Sequence, residues 1–288
     1  MAMNNLSLPN FIIIGSEKAG TTTISNAIGM QKSVFIPKIK EIHYFSNNWH
    51  KGLNWYKSFF NNKSKIKGEA SPSYSDYPLI KNVPERIFKI VPNVKLLYVL
   101  RNPIKRIISQ YRHALYYNWI PQNLNFSEAI DYRPQLIDTG RYYFQIDQYL
   151  RVFDINQIKI ICIEEINEIG FFESIYEFLN INNPIIGKIK NKNKTKDKFV
   201  FPRHLEFARK SDMIRKIAGS YHNEGLLINR YYNVLKLFNR KKIPYPDIPH
   251  DVEGRLLDVY YEDIKALSNI TDINFEKAWQ LSNKNNQY

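Results

Sequence analysis

The chain has 288 residues, enough for one large domain or two small ones, and 44% of them are hydrophobic and 14% aromatic. This apolar content supports a sizeable core and excludes a globally disordered chain. Lysine and arginine outnumber aspartate and glutamate by 41 to 27, and the net charge of +14 favours anionic partners. Such partners include nucleic acid, an acidic membrane surface and anionic small molecules or polymers, although a solvated basic surface without a partner has the same composition.

No segment of the sequence predicts a membrane span or a secretory signal. The apolar run Phe11–Ile14 is far too short to cross a bilayer, and residues 1–10 lack the basic and apolar regions of a signal peptide. The single cysteine, Cys162, excludes an intramolecular disulfide and lies in an apolar run, so we expect a buried thiol. These features predict a soluble cytoplasmic protein.

Short apolar strands alternate with helices through the first half of the chain. The strand predicted at 94–100 is apolar on both faces, which is typical of a central strand in a parallel sheet. Asn102 and Pro103 follow it and predict the N-cap and first position of a helix. The strands predicted here are Phe11–Ile14, 33–37 and 94–100, and the helices are Thr21–Met30, 52–60, about 84–91 and 103 to about 117.

The second half of the chain opens with a looser stretch over 118–140. Beyond it the pattern predicts a helix at Tyr142–Phe153, a strand at Ile158–Ile163, a helix at Phe171–Asn180, a basic loop over 187–204 and a helix at 251–268. The alternation predicts one α/β domain with a mainly parallel sheet. A helical C-terminal part is expected from about residue 205 to 288.

The segment from Gly15 to Thr22, GSEKAGTT, has the glycine spacing of a phosphate-binding P-loop. Glycines let backbone N–H groups turn toward an oxyanion, and the helix N-terminus adds a positive dipole. The lysine lies inside the loop, at Lys18, and Thr21 occupies its usual position. No magnesium-binding aspartate follows the strand at 94–100, which argues against an ATPase or kinase. The pattern favours a site for an anion that is bound without magnesium. A strand–turn–helix junction without a ligand is the alternative.

Arg101 lies at the carboxyl end of the predicted central strand, where ligands of open α/β sheets bind. Its guanidinium can grip a phosphate with two hydrogen bonds, and Ser109, one turn beyond Arg106 on the next helix, can donate a hydroxyl. Taken alone, Arg101 paired with a carboxylate and an exposed Ser109 would be the simpler interpretation. Together with the loop at Lys18, Arg101 favours a ligand with two separated phosphate-like groups.

These two elements resemble the 5′-phosphosulfate loop and the 3′-phosphate element of sulfotransferases that use 3′-phosphoadenosine 5′-phosphosulfate (PAPS). Further segments resemble the heparan-sulfate N- and 3-O-sulfotransferases in particular: KEIHYF at 40–45, HKGLNWY at 50–56, EASPSY at 69–74 and NKTK at 193–196. The resemblance covers roughly residues 9–200, in the expected order. Its specificity comes from the whole set of segments, since no single one suffices.

The resemblance implies a P-loop-like three-layer α/β fold with a central mainly parallel sheet flanked by helices, as a single sulfotransferase domain over 1–288. It implies PAPS as donor, adenosine 3′,5′-bisphosphate (PAP) as product and no required metal. In this interpretation Lys18 stabilises the leaving group, Glu41 is the general base, and His43 assists Glu41 or orients the acceptor. Without the resemblance, a solvated Glu41 and a His43 packed among aromatic residues would be the simpler interpretations. The expected donor-binding residues are Lys18, Ala19, Gly20, Thr21, Thr22, Thr23, Arg101, Ser109 and Lys196, although Lys196 also fits a solvated lysine in a basic loop.

The acceptor is less defined. Ser46 and Ala70 stand where the 3-O branch has aspartate and lysine. We expect a carbohydrate or glycan acceptor, including anionic ones, and no nucleic-acid partner. Four aromatic residues either line a sugar cleft or pack in the core: Trp49, Trp55, Tyr56 and Tyr74. Two other functions stay open, a nucleotide kinase that needs magnesium and ATP, and a non-catalytic binder of acidic polymers.

Overall fold

Five parallel strands form the central sheet. The structure is a computed structural model, and it describes residues 8–39, 41–185, 199–200, 241–243, 245–271 and 273–279. The sheet has the order β2-β3-β1-β4-β5, and its strands are β1 Phe11–Gly15, β2 Val34–Phe35, β3 Ile66–Ala70, β4 Lys95–Leu100 and β5 Ile158–Cys162. A two-residue antiparallel pair, β6 Phe199–Val200 and β7 Lys241–Lys242, lies apart from this sheet.

The helices of the described residues follow most of the predicted positions. They are α1 Thr21–Gly29, α2 Gly52–Lys57, α3 Val83–Ile90, α4 Pro103–Tyr116, α5 Phe126–Tyr132, α6 Gln135–Asp138, α7 Tyr142–Leu150, α8 Phe171–Phe178, α9 His250–Ser268 and α10 Phe275–Trp279. Helix α4 begins as predicted, because the Asn102 side chain accepts a hydrogen bond of 3.0 Å from the Lys105 N–H and Pro103 takes the first helical position.

Alternate residues of the central strands enter two separate cores. Ile12 and Ile14 of β1 join a cluster with α3, α4, α7 and α9 on one face of the sheet. Phe11 and Ile13 join a second cluster with α1 and α8 on the opposite face. Because side chains alternate along a strand, a central strand buried on both faces is typically apolar at nearly every position, as β1 is. The result is the three-layer P-loop-like α/β architecture, which confirms the predicted fold class.

Strand β3 was missed by the sequence analysis because its residues have poor strand propensity. It reads IKGEA, yet its last four residues are buried. Gly68 is required there, since a Cβ at that position would lie 2.1 Å from the Phe11 ring. Lys67 Nζ donates to the Phe60 carbonyl at 3.0 Å. Long-range contacts therefore determine that these residues form a strand, and local propensity does not predict it.

The prediction of a looser stretch over 118–140 is wrong in part, because these residues include α5 and α6. Helix α5 begins with a reciprocal capping box. Asn125 Oδ1 accepts from the Glu128 N–H at 2.9 Å, and Glu128 Oε2 accepts from the Asn125 N–H at 2.9 Å. The sequence NFSE carries this signal, so the helix start was readable.

Most of the predicted basic loop at 187–204 and much of the C-terminal part from about 205 lie outside the described residues. The helix predicted at 251–268 is confirmed as α9. The assignment of 1–288 to a single domain stays a prediction. None of the described helices is both long enough and apolar enough to span a bilayer. Cys162 is buried at the end of β5, as predicted, and burial raises the pKa of its thiol to about 12.

Candidate functional site

The sheet changes winding direction between β1 and β4. From β1 the chain runs to β2 and β3 on one side, and it then crosses to β4 and β5 on the other side. The Ser16 N–H donates to the Val99 carbonyl at 2.7 Å, which joins the carboxyl ends of the two strands. Open α/β sheets bind ligands at such a point, outside the strand ends. The segments that leave β1 and β4 here are the loop at 16–20 and the corner at Arg101.

The loop at 16–20 reaches α1 through two residues with left-handed backbone conformations. Lys18 has φ 67° and Gly20 has φ 98°. A Cβ on Gly20 would lie 2.9 Å from Cγ1 of Ile163, so glycine is needed both for its conformation and for its lack of a side chain. The Thr23 N–H donates to the Gly20 carbonyl at 2.9 Å as α1 begins. The helix N-terminus, with its positive dipole, thus immediately follows the glycine turn.

Arg101 contacts this loop directly. Its Nη1 donates to the Lys18 carbonyl at 3.3 Å. The Arg101 carbonyl accepts a hydrogen bond of 2.6 Å from the Tyr142 hydroxyl, and the following Asn102 N–H donates to Glu164 Oε1 at 3.0 Å. The two segments that sequence analysis predicted as anion-binding elements therefore meet at one corner of the sheet.

Glu17, the neighbour of Lys18, places a carboxylate in the loop that would repel an anion if it pointed there. Its Oε2 accepts a hydrogen bond of 3.0 Å from Gln110 Nε2, and its Oε1 lies 3.4 Å from Nδ1 of His113. Both partners belong to α4. These contacts hold the negative charge of Glu17 against α4.

Arg106 and Ser109 occupy different environments on α4. Arg106 is fully buried, and its guanidinium donates to Gln110 Oε1 at 2.6 Å and to the Leu136 carbonyl. It therefore ties α4 to α6. Ser109 is half-buried, and its role stays a prediction. Lys196 lies outside the described residues.

Glu41 and His43 lie on the loop that follows β2. The Glu41 carboxylate oxygen Oε2 is 3.4 Å from His43 Nε2, and the two side chains are 40% and 28% exposed, so both are accessible to solvent. Nδ1 of His43 forms a hydrogen bond of 2.6 Å with the Ser73 hydroxyl. Ser71 connects this loop to the carboxyl end of β1, because its hydroxyl oxygen accepts from the His43 N–H at 3.0 Å and its own N–H donates to the Ile13 carbonyl at 3.1 Å. Glu41 and His43 thus lie at the sheet edge that also carries Lys18.

The aromatic residues near this loop belong mainly to the core. Tyr56 is fully buried and stacks on Tyr44 with 4.3 Å between ring centroids, and Tyr74 is 2% exposed. Trp49 and Trp55 are half-buried and pack against the same cluster. Core packing is therefore the outcome for Tyr56 and Tyr74.

Glu69 is a residue whose environment the sequence analysis did not foresee. It belongs to the EASPSY segment, is fully buried and accepts hydrogen bonds from Tyr56, Ser71 and Tyr74. Burial raises the pKa of Glu69, and the three hydroxyl donors act against that rise. The spacing of Glu, Ser and Tyr in this segment was the available signal.

Among the described residues, no three histidine, cysteine, aspartate or glutamate side chains are grouped so that they could hold a metal ion. The sheet order, the glycine turn and the helix that follows it define an α/β protein with a P-loop-like corner. The sulfotransferase domain family matches residues 8–224, which is more than half of the chain. The chain belongs to this family.

Curated relatives include enzymes of heparan sulfate. The chain is 32% identical to mouse heparan sulfate glucosamine 3-O-sulfotransferase 5 over 168 residues, which are 54% of the chain and 47% of the relative. It is 29% identical to the bifunctional heparan sulfate N-deacetylase/N-sulfotransferase 1 of Caenorhabditis briggsae over 191 residues, 58% of the chain and 22% of the relative. It is 35% identical to the membrane-associated sulfotransferase kil1 of Dictyostelium discoideum over 123 residues, 41% of the chain and 25% of the relative. The chain thus spans half or less of the length of these relatives.

A solved structure supports the fold over nearly the whole chain. A sulfotransferase from Alicyclobacillus acidocaldarius superposes with a TM-score of 0.66 at 20% sequence identity, covering 95% of this chain and 99% of that one. At this identity the likeness concerns the fold alone.

Proposed function

We propose that this chain is a PAPS-dependent sulfotransferase that transfers a sulfuryl group to a hydroxyl or amine of a carbohydrate acceptor. Membership of the sulfotransferase domain family supports the reaction class. The observation that carries the proposal is the hydrogen bond of 3.3 Å from the Arg101 guanidinium to the Lys18 carbonyl. It brings the two predicted anion-binding elements together at the point where α/β sheets bind ligands.

The residues present at this corner fit such a donor. PAPS, when bound, supplies an activated sulfuryl group, and it carries anionic groups at the 3′ and 5′ positions of its ribose. In our proposal the loop from Lys18 to Thr23 holds the 5′-phosphosulfate with backbone N–H groups, hydroxyls and the Lys18 ammonium. Arg101 and Ser109 hold the 3′-phosphate, and Lys196 is proposed as a further contact. Glu17, whose carboxylate contacts Gln110 and His113 of α4, has no part in donor binding in this proposal.

Three side chains carry the proposed in-line displacement. Lys18 stabilises the charge that develops on the leaving oxygen. Glu41 takes the proton from the acceptor hydroxyl or amine, a function that general bases typically perform with a gain of about 10²- to 10⁴-fold in rate. His43, 3.4 Å from Glu41, orients this carboxylate and the acceptor. A sulfuryl group carries less negative charge than a phosphoryl group, so lysine replaces the metal in this proposal.

The proposed acceptor is a glycan, including anionic ones. Two of the relatives are named for heparan sulfate, and the net charge of +14 favours acidic polymers over neutral ones. Both O- and N-sulfation fit a base such as Glu41. The cytoplasmic location and the absence of a nucleic-acid partner remain predictions from the sequence.

A thermal-shift experiment tests donor binding. We expect PAP to raise the melting temperature well above the effect of AMP, because only PAP carries the 3′-phosphate that Arg101 and Ser109 are proposed to hold. Equal shifts from both nucleotides would contradict the proposal.

An activity screen tests the reaction. With PAPS carrying labelled sulfate and a panel of glycans, we expect transfer that Lys18→Ala abolishes. Phosphoryl transfer from ATP that chelation removes would instead identify a kinase. Salt-sensitive polymer binding that Lys18→Ala leaves unchanged, without any transfer, would identify a non-catalytic binder.

A further inference from the structure

Glu69 lies beneath the loop that carries Glu41 and His43. It is fully buried on β3, and its two carboxylate oxygens accept three hydroxyl hydrogen bonds. Oε1 accepts from Tyr56 at 2.6 Å and from Tyr74 at 3.0 Å, and Oε2 accepts from Ser71 at 2.8 Å. A buried carboxylate is costly unless it is hydrogen-bonded, and here each donor is a side-chain hydroxyl.

Two of these hydroxyls also accept hydrogen bonds from the loop. The Ser71 oxygen accepts from the His43 N–H at 3.0 Å, and the Tyr74 oxygen accepts from the Phe45 N–H at 3.3 Å. A hydroxyl has one proton. Because Ser71 and Tyr74 donate theirs to Glu69, each presents only lone pairs toward the loop. The carboxylate therefore makes both hydroxyls hydrogen-bond acceptors toward the loop.

The loop needs such a support. His43 has φ 51°, a left-handed conformation that non-glycine residues adopt rarely and at an energetic cost. The backbone at His43 determines where its imidazole lies, and the imidazole lies 3.4 Å from the Glu41 carboxylate. Displacement of the His43 N–H would therefore move the imidazole relative to the proposed base, Glu41.

We propose that Glu69 is a positioning residue, which holds Glu41 and His43 in place for acceptor deprotonation through the Ser71 and Tyr74 hydroxyls. This inference rests on the proposed function, because it assigns Glu69 a task in that reaction. Glu69 itself touches neither donor nor acceptor, since it is fully buried beneath the loop. The Tyr56 hydroxyl donates to the Glu69 carboxylate and makes no hydrogen bond to the loop in the described part of the chain.

Tyr56 and Tyr74 provide a matched pair of variants. Tyr56→Phe and Tyr74→Phe each delete one buried hydroxyl that donates to the same oxygen of Glu69. Only the Tyr74 hydroxyl also accepts a hydrogen bond from the loop, at the Phe45 N–H. We expect Tyr74→Phe and Ser71→Ala to lower kcat by roughly 10-fold or more, because small misplacements of reacting groups are costly. The KM for PAPS and the PAP-induced rise in melting temperature should stay at wild-type values. Tyr56→Phe should keep the wild-type kcat.

Glu69→Gln is the direct substitution. It replaces one carboxylate oxygen with an NH₂ donor. At the Oε1 position the Tyr56 and Tyr74 hydroxyls lose the acceptor for their protons, and at the Oε2 position the Ser71 hydroxyl does. We expect a loss of kcat at least as large as that of Ser71→Ala. If the buried amide prevents folding, the single-hydroxyl variants still decide the question.

A double-mutant cycle separates positioning from general stability. If Ser71 acts through the proposed base, Ser71→Ala should cost far less in a Glu41→Gln background than in the wild type. An equal cost in both backgrounds, or a Tyr56→Phe loss equal to that of Tyr74→Phe, would overturn the inference. A wild-type kcat for Glu41→Gln would contradict the proposed function itself. An inactive Glu41→Gln enzyme with fully active Ser71→Ala and Tyr74→Phe variants would overturn only the role of Glu69.

Discussion

At the scale of single residues, Gly20 decides whether the loop at 16–20 can enter α1. We predict that Gly20→Ala abolishes the PAP-induced rise in melting temperature. The substitution forces a Cβ into a residue with φ 98° and places it 2.9 Å from the Ile163 side chain, so we expect the loop to shift. Thermal unfolding with and without PAP measures the effect.

Gly170→Ala is the matched control for this prediction. Gly170 has φ 84°, but a Cβ there would meet nothing within 4 Å. Both variants should lose about 1–2 kcal/mol from the left-handed backbone alone. Only Gly20→Ala should lose the response to PAP, and an unchanged response in that variant would contradict the proposed use of the loop.

We predict that the stability of the protein depends on pH through Asp76. It is buried and accepts a hydrogen bond from the Thr139 hydroxyl at 3.3 Å. Burial, followed by the nearby charge of Glu17, raises its pKa to about 7, above the ordinary value of 3.8. Between about pH 4 and 7 the folded protein thus binds a proton that the unfolded chain has released. The resulting stabilisation is fully present at the acidic end and is lost as the pH rises through about 7.

Asp76→Asn tests this dependence, because asparagine keeps an acceptor for Thr139 but does not titrate in this range. We expect the free energy of unfolding of the wild type, relative to the variant, to fall by on the order of a few kcal/mol from pH 4 to pH 8. Chemical denaturation at several pH values gives the comparison. Parallel curves for the two proteins would show that Asp76 titrates in the same range whether folded or unfolded.

At the scale of elements, the C-terminal helix α10 supports the corner at Arg101. The Trp279 indole Nε1 donates to Glu164 Oε2 at 3.0 Å, and the Asn102 N–H donates to Oε1 of the same carboxylate at 3.0 Å. The Asn102 side chain also donates to the Trp279 carbonyl at 3.0 Å. The segment that follows β4 is thus fixed by a helix that lies about 180 residues away in the sequence.

We predict that Trp279→Ala weakens PAP binding several-fold, because the Arg101 corner loses its support. Calorimetric titration of PAP at a temperature where the variant is folded measures this affinity.

Leu267→Ala in α9 is the control for lost packing. Leu267 is fully buried, so its truncation should cost about 2–5 kcal/mol of stability, yet it should leave PAP affinity unchanged. Equal losses of affinity in the two variants would argue against a specific link from α10 to the corner.

Elements also differ in how well the sequence predicted them. Strands β1 and β4 were readable because they are buried on both faces and, apart from Lys95 at the start of β4, consist of apolar and aromatic residues and glycine. Strand β3 was not readable, because its buried Glu69 depends on hydroxyl donors from Tyr56, Ser71 and Tyr74. Such a strand is recognised only once its long-range partners are known.

At the scale of the whole molecule, the net charge of +14 predicts how the acceptor is bound. If an anionic glycan is attracted by this field, its KM should rise steeply between about 50 and 300 mM salt, while kcat changes little. Initial-rate measurements with a sulfated glycan give both constants. A neutral oligosaccharide of similar length is the control, and its KM should be nearly independent of salt. A KM for the sulfated glycan that stays constant over this range would contradict electrostatic capture.

The sequence by itself determined the parts of this protein that depend on local chemistry. Apolar runs marked the strands β1, β4 and β5, the spacing of Gly15 and Gly20 marked the turn, and Asn102-Pro103 marked the start of α4. Only the tertiary structure decided which distant residues meet. It brought Arg101 to the Lys18 carbonyl, held Glu17 against α4 and placed Glu69 beneath His43. Contacts of this kind depend on how strands are ordered in the sheet, and that order comes from the packing of the whole chain, which no local pattern contains.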